Sequence, residues 1–300
     1  MPKKNPTPPV ASSTTILARE KQGKLQFYLL KRNEKSGFMA GKYVFPGGMM
    51  DPEDQNTNFW ASGLNIDMTE MSKRTGGKLD PDKALAHLIT AIRENFEEAG
   101  VLPGFSCDAM ENGWSELKKN RLSGLPQGWL KQFVASNQPT LDLSGMSRWS
   151  HWMTPELMPR RYDTRFFMVI MPEGQRCSPD FNETTHGIWL APKDGLAGNL
   201  DGDIPLSPPT LATLHELCGF SRINDLKTAM ASRKWGAPIM PRLLVPSDGG
   251  AVILMPWDAA YAHPKEAVFA QAAQHKTLQV GEAFSRVKDD DNVWKPVAAR

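Results

Sequence analysis

Asp80 to Gly100, DPDKALAHLITAIRENFEEAG, constrains this chain more than any other stretch. Its ends are those of one helix: Asp80 suits the N-cap, Pro81 the first turn, Asp82 the positive end of the dipole and Gly100 the stop. At about 100° per residue, Leu85, Leu88, Ile92, Phe96 and Ala99 share one side, while Glu94, Glu97 and Glu98 crowd into an arc of roughly 100° on the other. One side is buried; the other carries three carboxylates. Taken alone, such a face reads as solvated. Three acids this close repel one another, however, and no Lys or Arg follows them four residues later as a helical partner. A cation is therefore expected among them, and an all-oxygen set suits a hard ion such as Mg²⁺ better than zinc.

A second constraint lies upstream. YVFPGGMMDPEDQN, Tyr43 to Asn56, ends a strand-like run in a proline and two glycines and then turns acidic. This is a surface turn, a polar loop, or a place where bare backbone approaches a ligand. Before it, TTILARE and LQFYLLKR, parted by a turn at Gly23, read as strands, as does KYVF. Residues 54–79, with Gly76-Gly77, read as an inserted loop or small subdomain. TRFFMVIMP and HGIWLAP are further strand candidates, and TLATLHELCGF and INDLKTAMASRK are helical in pattern. Two apolar runs, MPRLLVP and AVILMPW, precede an Ala-rich stretch over 258–274. The expected organisation is a disordered, Pro-rich tail (1–12), an α+β domain (13–200) and a mostly helical extension (201–300) packed on it.

Composition narrows the function classes. With 300 residues there is ample core, and a net charge of +2 points to neither nucleic acid nor a membrane surface. Cys107, Cys177 and Cys218 are far apart and odd in number, which suits a reducing compartment better than a disulfide framework. No apolar run reaches bilayer length, and the first residues lack the apolar middle of a secretory signal.

The two constrained stretches together resemble the Nudix box, GX5EX7REUXEEXGU, with U a bulky aliphatic residue. Gly47 and Glu53 match its start, and Arg93-Glu94-Asn95-Phe96-Glu97-Glu98-Ala99-Gly100-Val101 its end. Asn95 replaces an aliphatic residue, and the spacer has grown to residues 54–92. This long insertion, with W-x-TP at Trp152 to Pro155, PRRYDTRFF at Pro159 to Phe167 and LSPPTLATLHEL at Leu206 to Leu217, is similar to the acyl-CoA diphosphatase branch of the Nudix hydrolases. The coenzyme A motif, with arginines before GX3FPGG, is half present: Gly41 and FPGG match, but Gly37 stands where its second arginine belongs.

The resemblance implies a Nudix fold, a mixed sheet between helices, and metal-dependent hydrolysis of a diphosphate linkage with Mg²⁺ or Mn²⁺. The preferred small-molecule substrate is CoA or acyl-CoA; the alternatives are ADP-ribose or a dinucleotide, or a Nudix-fold module that binds without catalysis. It implies Glu94 and Glu98 as metal ligands, Glu97 as a third ligand or the group that deprotonates water, and the Gly48 carbonyl as a further ligand. Gly47 and Gly48 would admit phosphates, and Arg93 would pair with Glu53 to tie loop to helix. Glu183, shortly before a strand, is a candidate further acid. One of Arg160 and Arg161 is expected to bind substrate phosphate, and Arg165 either reads phosphate too or flanks its strand. Phe166 and Trp189 read as core, and Asp289 to Asn292 as a hairpin turn. A homodimer is left open. The last residues, Val297 to Arg300, do not resemble the Ser-Lys-Leu address, so the cytoplasm is the expected location.

Overall fold

The computed structural model describes residues 6–73, 79–105, 113–245, 250–264 and 276–298. Strands β1 (Val10–Lys21), β2 (Lys24–Arg32), β3 (Tyr43–Val44) and β4 (Gly47–Met49) come first. Helices α1 (Thr57–Ala61), α2 (Met68–Met71), α3 (Pro81–Ala99), α4 (Trp114–Ser123) and α5 (Trp129–Asn137) follow. Then come β5 (Met146–Met153), β6 (Tyr162–Ile170), β7 (Thr184–Leu190), and helices α6 (Pro192–Asp201), α7 (Pro208–Leu217) and α8 (Ile223–Ser232). Short strands β8 (Arg242–Leu244), β9 (Val252–Leu254), β10 (Arg286–Asp290) and β11 (Val293–Val297) close the chain.

Alternation along the first two strands decides the layering. Leu17, Tyr28 and Leu30 join one buried cluster, with the apolar side of α3; Ile16, Ala18, Phe27 and Leu29 join another, with Leu211 and Leu214 of α7. Side chains two apart share a face, so one sheet is covered on both sides. Its order is β3-β2-β1-β6-β5, with β4 on β1 and β7 on β2. The β1–β6 pair is parallel and the other pairs are antiparallel, giving the mixed sheet between helices of an α+β fold. Among the described residues no helix is long and apolar enough to cross a membrane.

Three boundaries differ from expectation. β1 begins at Val10, inside the stretch read as tail, because Val10 is the first of nine residues paired in register with β6. Residues 54–79 are not merely an inserted loop: Trp60 (2% exposed) and Met71 (0%) pack in the cluster of α3, while Gly76-Gly77 lie outside the described residues. Trp60→Ala is accordingly expected to cost about 3–5 kcal/mol in urea unfolding. A loss below about 1 kcal/mol would return this segment to the surface.

The third difference is in the extension. Helices α7 and α8 form as the periodicity predicts, but MPRLLVP and AVILMPW become β8 and β9 of a second antiparallel sheet, ordered β11-β10-β9-β8. Strands of three residues are too short for alternation to declare itself, and the described elements past α8 are strands, not the helices expected. Much of the Ala-rich stretch, residues 265–275, lies outside the described residues. The turn read over Asp289 to Asn292 does join a hairpin, with Asp291 (φ 49°) and Asn292 (φ 62°) as its two left-handed central residues.

Candidate active site

Helix α3 starts and stops where its sequence dictates. The Asp80 carboxylate accepts from the Asp82 and Lys83 N–H groups, and Gly100 ends the helix at φ 72°. Its glutamate side is only partly open to water: Glu98 is buried, and Glu94 and Glu97 are half-buried. Loop Phe45–Met49 lies over it so closely that a Cβ on Gly48 would fall 2.4 Å from the Glu94 carboxyl, and one on Gly47 2.3 Å from the Ser13 carbonyl oxygen. Gly47, set against backbone, therefore requires glycine, while a side chain at Gly48 would have to push the Glu94 carboxylate aside; the Gly47 N–H donates to Glu98 Oε2 at 2.8 Å.

Arg93 organises the acids. Its Nη1 donates to Glu94 (2.9 Å) and Glu97 (3.0 Å), and its Nη2 to the Met49 carbonyl (2.7 Å) and Asp54 (2.9 Å). The loop acid that holds it is thus Asp54, not Glu53. Asp54 is 1% exposed and also accepts from the Thr90 hydroxyl and the Asp51 N–H. Glu53, one residue earlier on the short Pro52–Gln55 turn, points away toward Gly128. Counting the five-residue gap of the motif from Gly48 instead of Gly47 lands on Asp54, the signal that finds it. The cation missing at the position four residues after each acid is in part Arg93 itself, which precedes Glu97 by four.

Charge in this corner is only partly balanced. Burial, with repulsion from Glu97 and Glu183, pushes Glu94 up to about 8 even against Arg93. Burial and Glu94 push Glu98 well above the usual carboxylate range, although the Gly47 N–H and Arg32, 3.8 Å away, oppose this. Glu97 is raised by burial, opposed by Arg93 and by the indole N–H of Trp129. Crowded, buried carboxylates whose charge is disfavoured in this way are stabilised by an added cation, and every donor at hand is an oxygen, which fits a hard divalent ion. Among the described residues no three His, Cys, Asp or Glu side chains already converge as a finished metal centre. Arg93 and the Gly47 N–H hold these oxygens on protein donors instead.

A cavity of about 490 Å³ opens from this corner. Glu94, Glu97, Glu183, Gly47, Gly48 and Arg32 line it, as do Ser12, Thr14, Thr164 and Phe166 of the sheet. Glu183 is exposed and contributes from the loop before β7. Arg32, at the end of LLKR, was not singled out from the sequence; its Nε is buried without a hydrogen-bond partner. Phe166 is buried, as expected, and also faces the cavity. Trp189 is half-buried against Tyr28 and Arg19.

The arginines of PRRYDTRFF lie elsewhere. Arg161 is buried, donating to the Thr7 and Thr154 carbonyls, and Arg165 lies over the Trp235 ring. Arg160 is exposed beside Gly37. None of the three is among the residues that line the cavity. Arg161, already bonded to backbone carbonyls, has no free fork to offer a phosphate, whereas exposed Arg160 stands beside Gly37, next to the lining residue Phe38.

A mixed sheet with a glycine loop clamped on a glutamate helix is the fold of a Nudix hydrolase. A Nudix hydrolase from Alicyclobacillus acidocaldarius superposes with a TM-score of 0.58 at 23% identity, covering 77% of this chain and 99% of that one. The chain belongs to the family described as the NUDT19 Nudix domain, whose profile matches residues 7–217. It is similar to the acyl-coenzyme A diphosphatase NUDT19 of Homo sapiens, at 27% identity over 86% of this chain and 79% of that protein. The Xenopus laevis protein of the same name is 27% identical over 78% of this chain and 70% of its own length.

Proposed function

We propose that this Nudix hydrolase cleaves the diphosphate bond of coenzyme A or an acyl-coenzyme A, releasing 3',5'-ADP and (acyl-)phosphopantetheine. The observation that carries this reading is the mixed lining of the cavity, which brings carboxylates, glycine backbone and Arg32 together with apolar side chains of both sheets. It matches a ligand that is phosphate in one part and apolar in another. Glu94 and Glu98 would hold Mg²⁺ or Mn²⁺, with Glu97 and the Gly48 carbonyl in support. Such an ion supplies charge neutralisation for diphosphate oxygens. Arg93 fixes the Glu94 and Glu97 carboxylates against the loop, and its link to Asp54 keeps loop and helix in register. Arg32 faces the cavity beside Glu98, where its guanidinium can meet a phosphate oxygen. Glu183, outside the Arg93 cluster, is free to accept a proton from the attacking water, as is Glu97 once its partners shift. The reading is of a small-molecule enzyme of the cytoplasm, with no nucleic-acid partner.

The test is a panel of CoA, acyl-CoAs, ADP-ribose, NADH and diadenosine polyphosphates with Mg²⁺ or Mn²⁺, products resolved by mass. CoA or its thioesters should lead, with both halves of the molecule recovered and activity abolished by EDTA. Because Gly37 replaces an arginine of the coenzyme A motif, ADP-ribose is the second reading; its preferential cleavage would replace the first.

A further inference from the structure

The family match ends at residue 217, but much of the cavity's apolar wall comes from beyond it. Pro241, Leu243, Ala251, Ile253 and Trp294 of the second sheet and its flanks line the cavity that the carboxylates also line. Register explains how so small a sheet presents them. Leu243 pairs with Ile253, and Ile253 with Val287, so these three share one face. Ala251, two residues before Ile253, lies on the same side. The intervening Val252 and Leu254 pack on the opposite face with Leu244 and Tyr261.

The wall is tied to the rest of the Nudix domain at two points. The Met153 N–H donates to the Ile239 carbonyl and the Ile239 N–H to the His151 carbonyl, which joins the approach to β8 onto β5. Buried Asn199 donates to the Trp294 carbonyl and accepts from the Leu206 N–H, at 2.9 and 2.8 Å. Trp152 and Phe166 of the Nudix sheet also line this cavity.

Charge decides which part of the substrate enters here. Arg32, beside Glu98, is the one Lys or Arg lining the cavity among the described residues. A nucleoside bisphosphate against these apolar side chains would bring phosphate charge where no cation meets it, and burying an unpaired charge is strongly unfavourable. The thioester arm has no such cost.

Resting on the reading above, we propose that the C-terminal sheet is the specificity wall for the acyl chain, with Ala251, Leu243 and Trp294 setting the length accepted. Each methylene taken from water is worth about fourfold in binding, so closing off a few should discriminate by tenfold or more. Half-buried Ala251 can take a larger side chain with least disturbance of the core.

The experiment compares wild type, Ala251→Trp and Trp294→Ala on CoA, acetyl-CoA, octanoyl-CoA and palmitoyl-CoA, with thermal midpoints as the folding control. Ala251→Trp should lower kcat/KM on octanoyl-CoA by about tenfold or more relative to that on CoA, mainly in KM. Trp294→Ala should move the preference toward longer chains. Equal loss on all four substrates with the midpoint unchanged, or unchanged preference in both variants, would overturn the wall while leaving the hydrolase reading in place. Wild type cleaving none of the four would overturn both. Should Ala251→Trp fail to fold, Leu243→Phe carries the same comparison.

Discussion

Glu98→Gln is expected to lower turnover of a diphosphate substrate by about two to three powers of ten, the scale of several kcal/mol of lost charge stabilisation. It should do so without unfolding the protein. Burial and the neighbouring Glu94 already disfavour the ionised form of Glu98, and a raised carboxyl pKa means that the charged group destabilises the fold at neutral pH. Glutamine removes that charge but keeps an oxygen to accept the Gly47 N–H. The thermal midpoint without added ions should therefore stay level or rise. The rise produced by Mg²⁺ or Mn²⁺ in wild type should shrink in the variant, because an ion bound only to the folded state stabilises in proportion to its affinity. Near-wild-type turnover, with the midpoint intact, would remove Glu98 from the site. A fall in both together would make it a structural residue whose loss deforms the loop.

The parts of this site that could be read from the sequence are those fixed by local rules. The caps of α3, the burial of Leu85, Leu88, Ile92, Phe96 and Ala99, and the placing of Glu94, Glu97 and Glu98 on the side opposite to them all follow from helical geometry and from residues within one segment. The two glycines before an acidic turn were legible as a close backbone approach, and the distances to Ser13 and Glu94 give the reason. What could not be read depends on partners far along the chain. Whether Glu53 or Asp54 faces inward depends on one residue of phase in a short turn, and a motif counted from the wrong glycine picks the wrong one. The role of Trp60 depends on α3, and that of Arg161 on the carbonyls of Thr7 and Thr154. The second sheet escaped for a related reason. Its strands are short and gain their meaning only from pairing across 250–290, which no window of periodicity spans.

Arg93→Met is expected to be more damaging than loss of any single acid around it. Arg93 is 5% exposed, and removing its guanidinium leaves Asp54, Glu94 and Glu97 without the charge that holds them together. Breaking a buried pair from one side costs about 3–5 kcal/mol, since the remaining charge is then neither hydrated nor matched. Burial by itself would lower the Arg93 pKa; that it is raised instead, by Asp54, Glu94 and Glu97, shows how strongly its charge is held. Asp54→Asn should cost about 3 kcal/mol on the same ground, whereas Glu53→Gln, outside the cluster, should cost under about 1 kcal/mol. A double-mutant cycle of Arg93→Met with Asp54→Asn, followed by urea unfolding, should show a coupling of about 1–3 kcal/mol; the cycle with Glu53→Gln should be additive within about 0.5 kcal/mol. The reverse pattern would return the pairing to Glu53. Activity discriminates further, because Asp54 touches the glutamates only through Arg93. If its part is to hold that arginine, Asp54→Asn lowers kcat with KM little changed, and the double variant is no slower than Arg93→Met alone; a further loss in the double variant would give Asp54 a role at the site independent of Arg93.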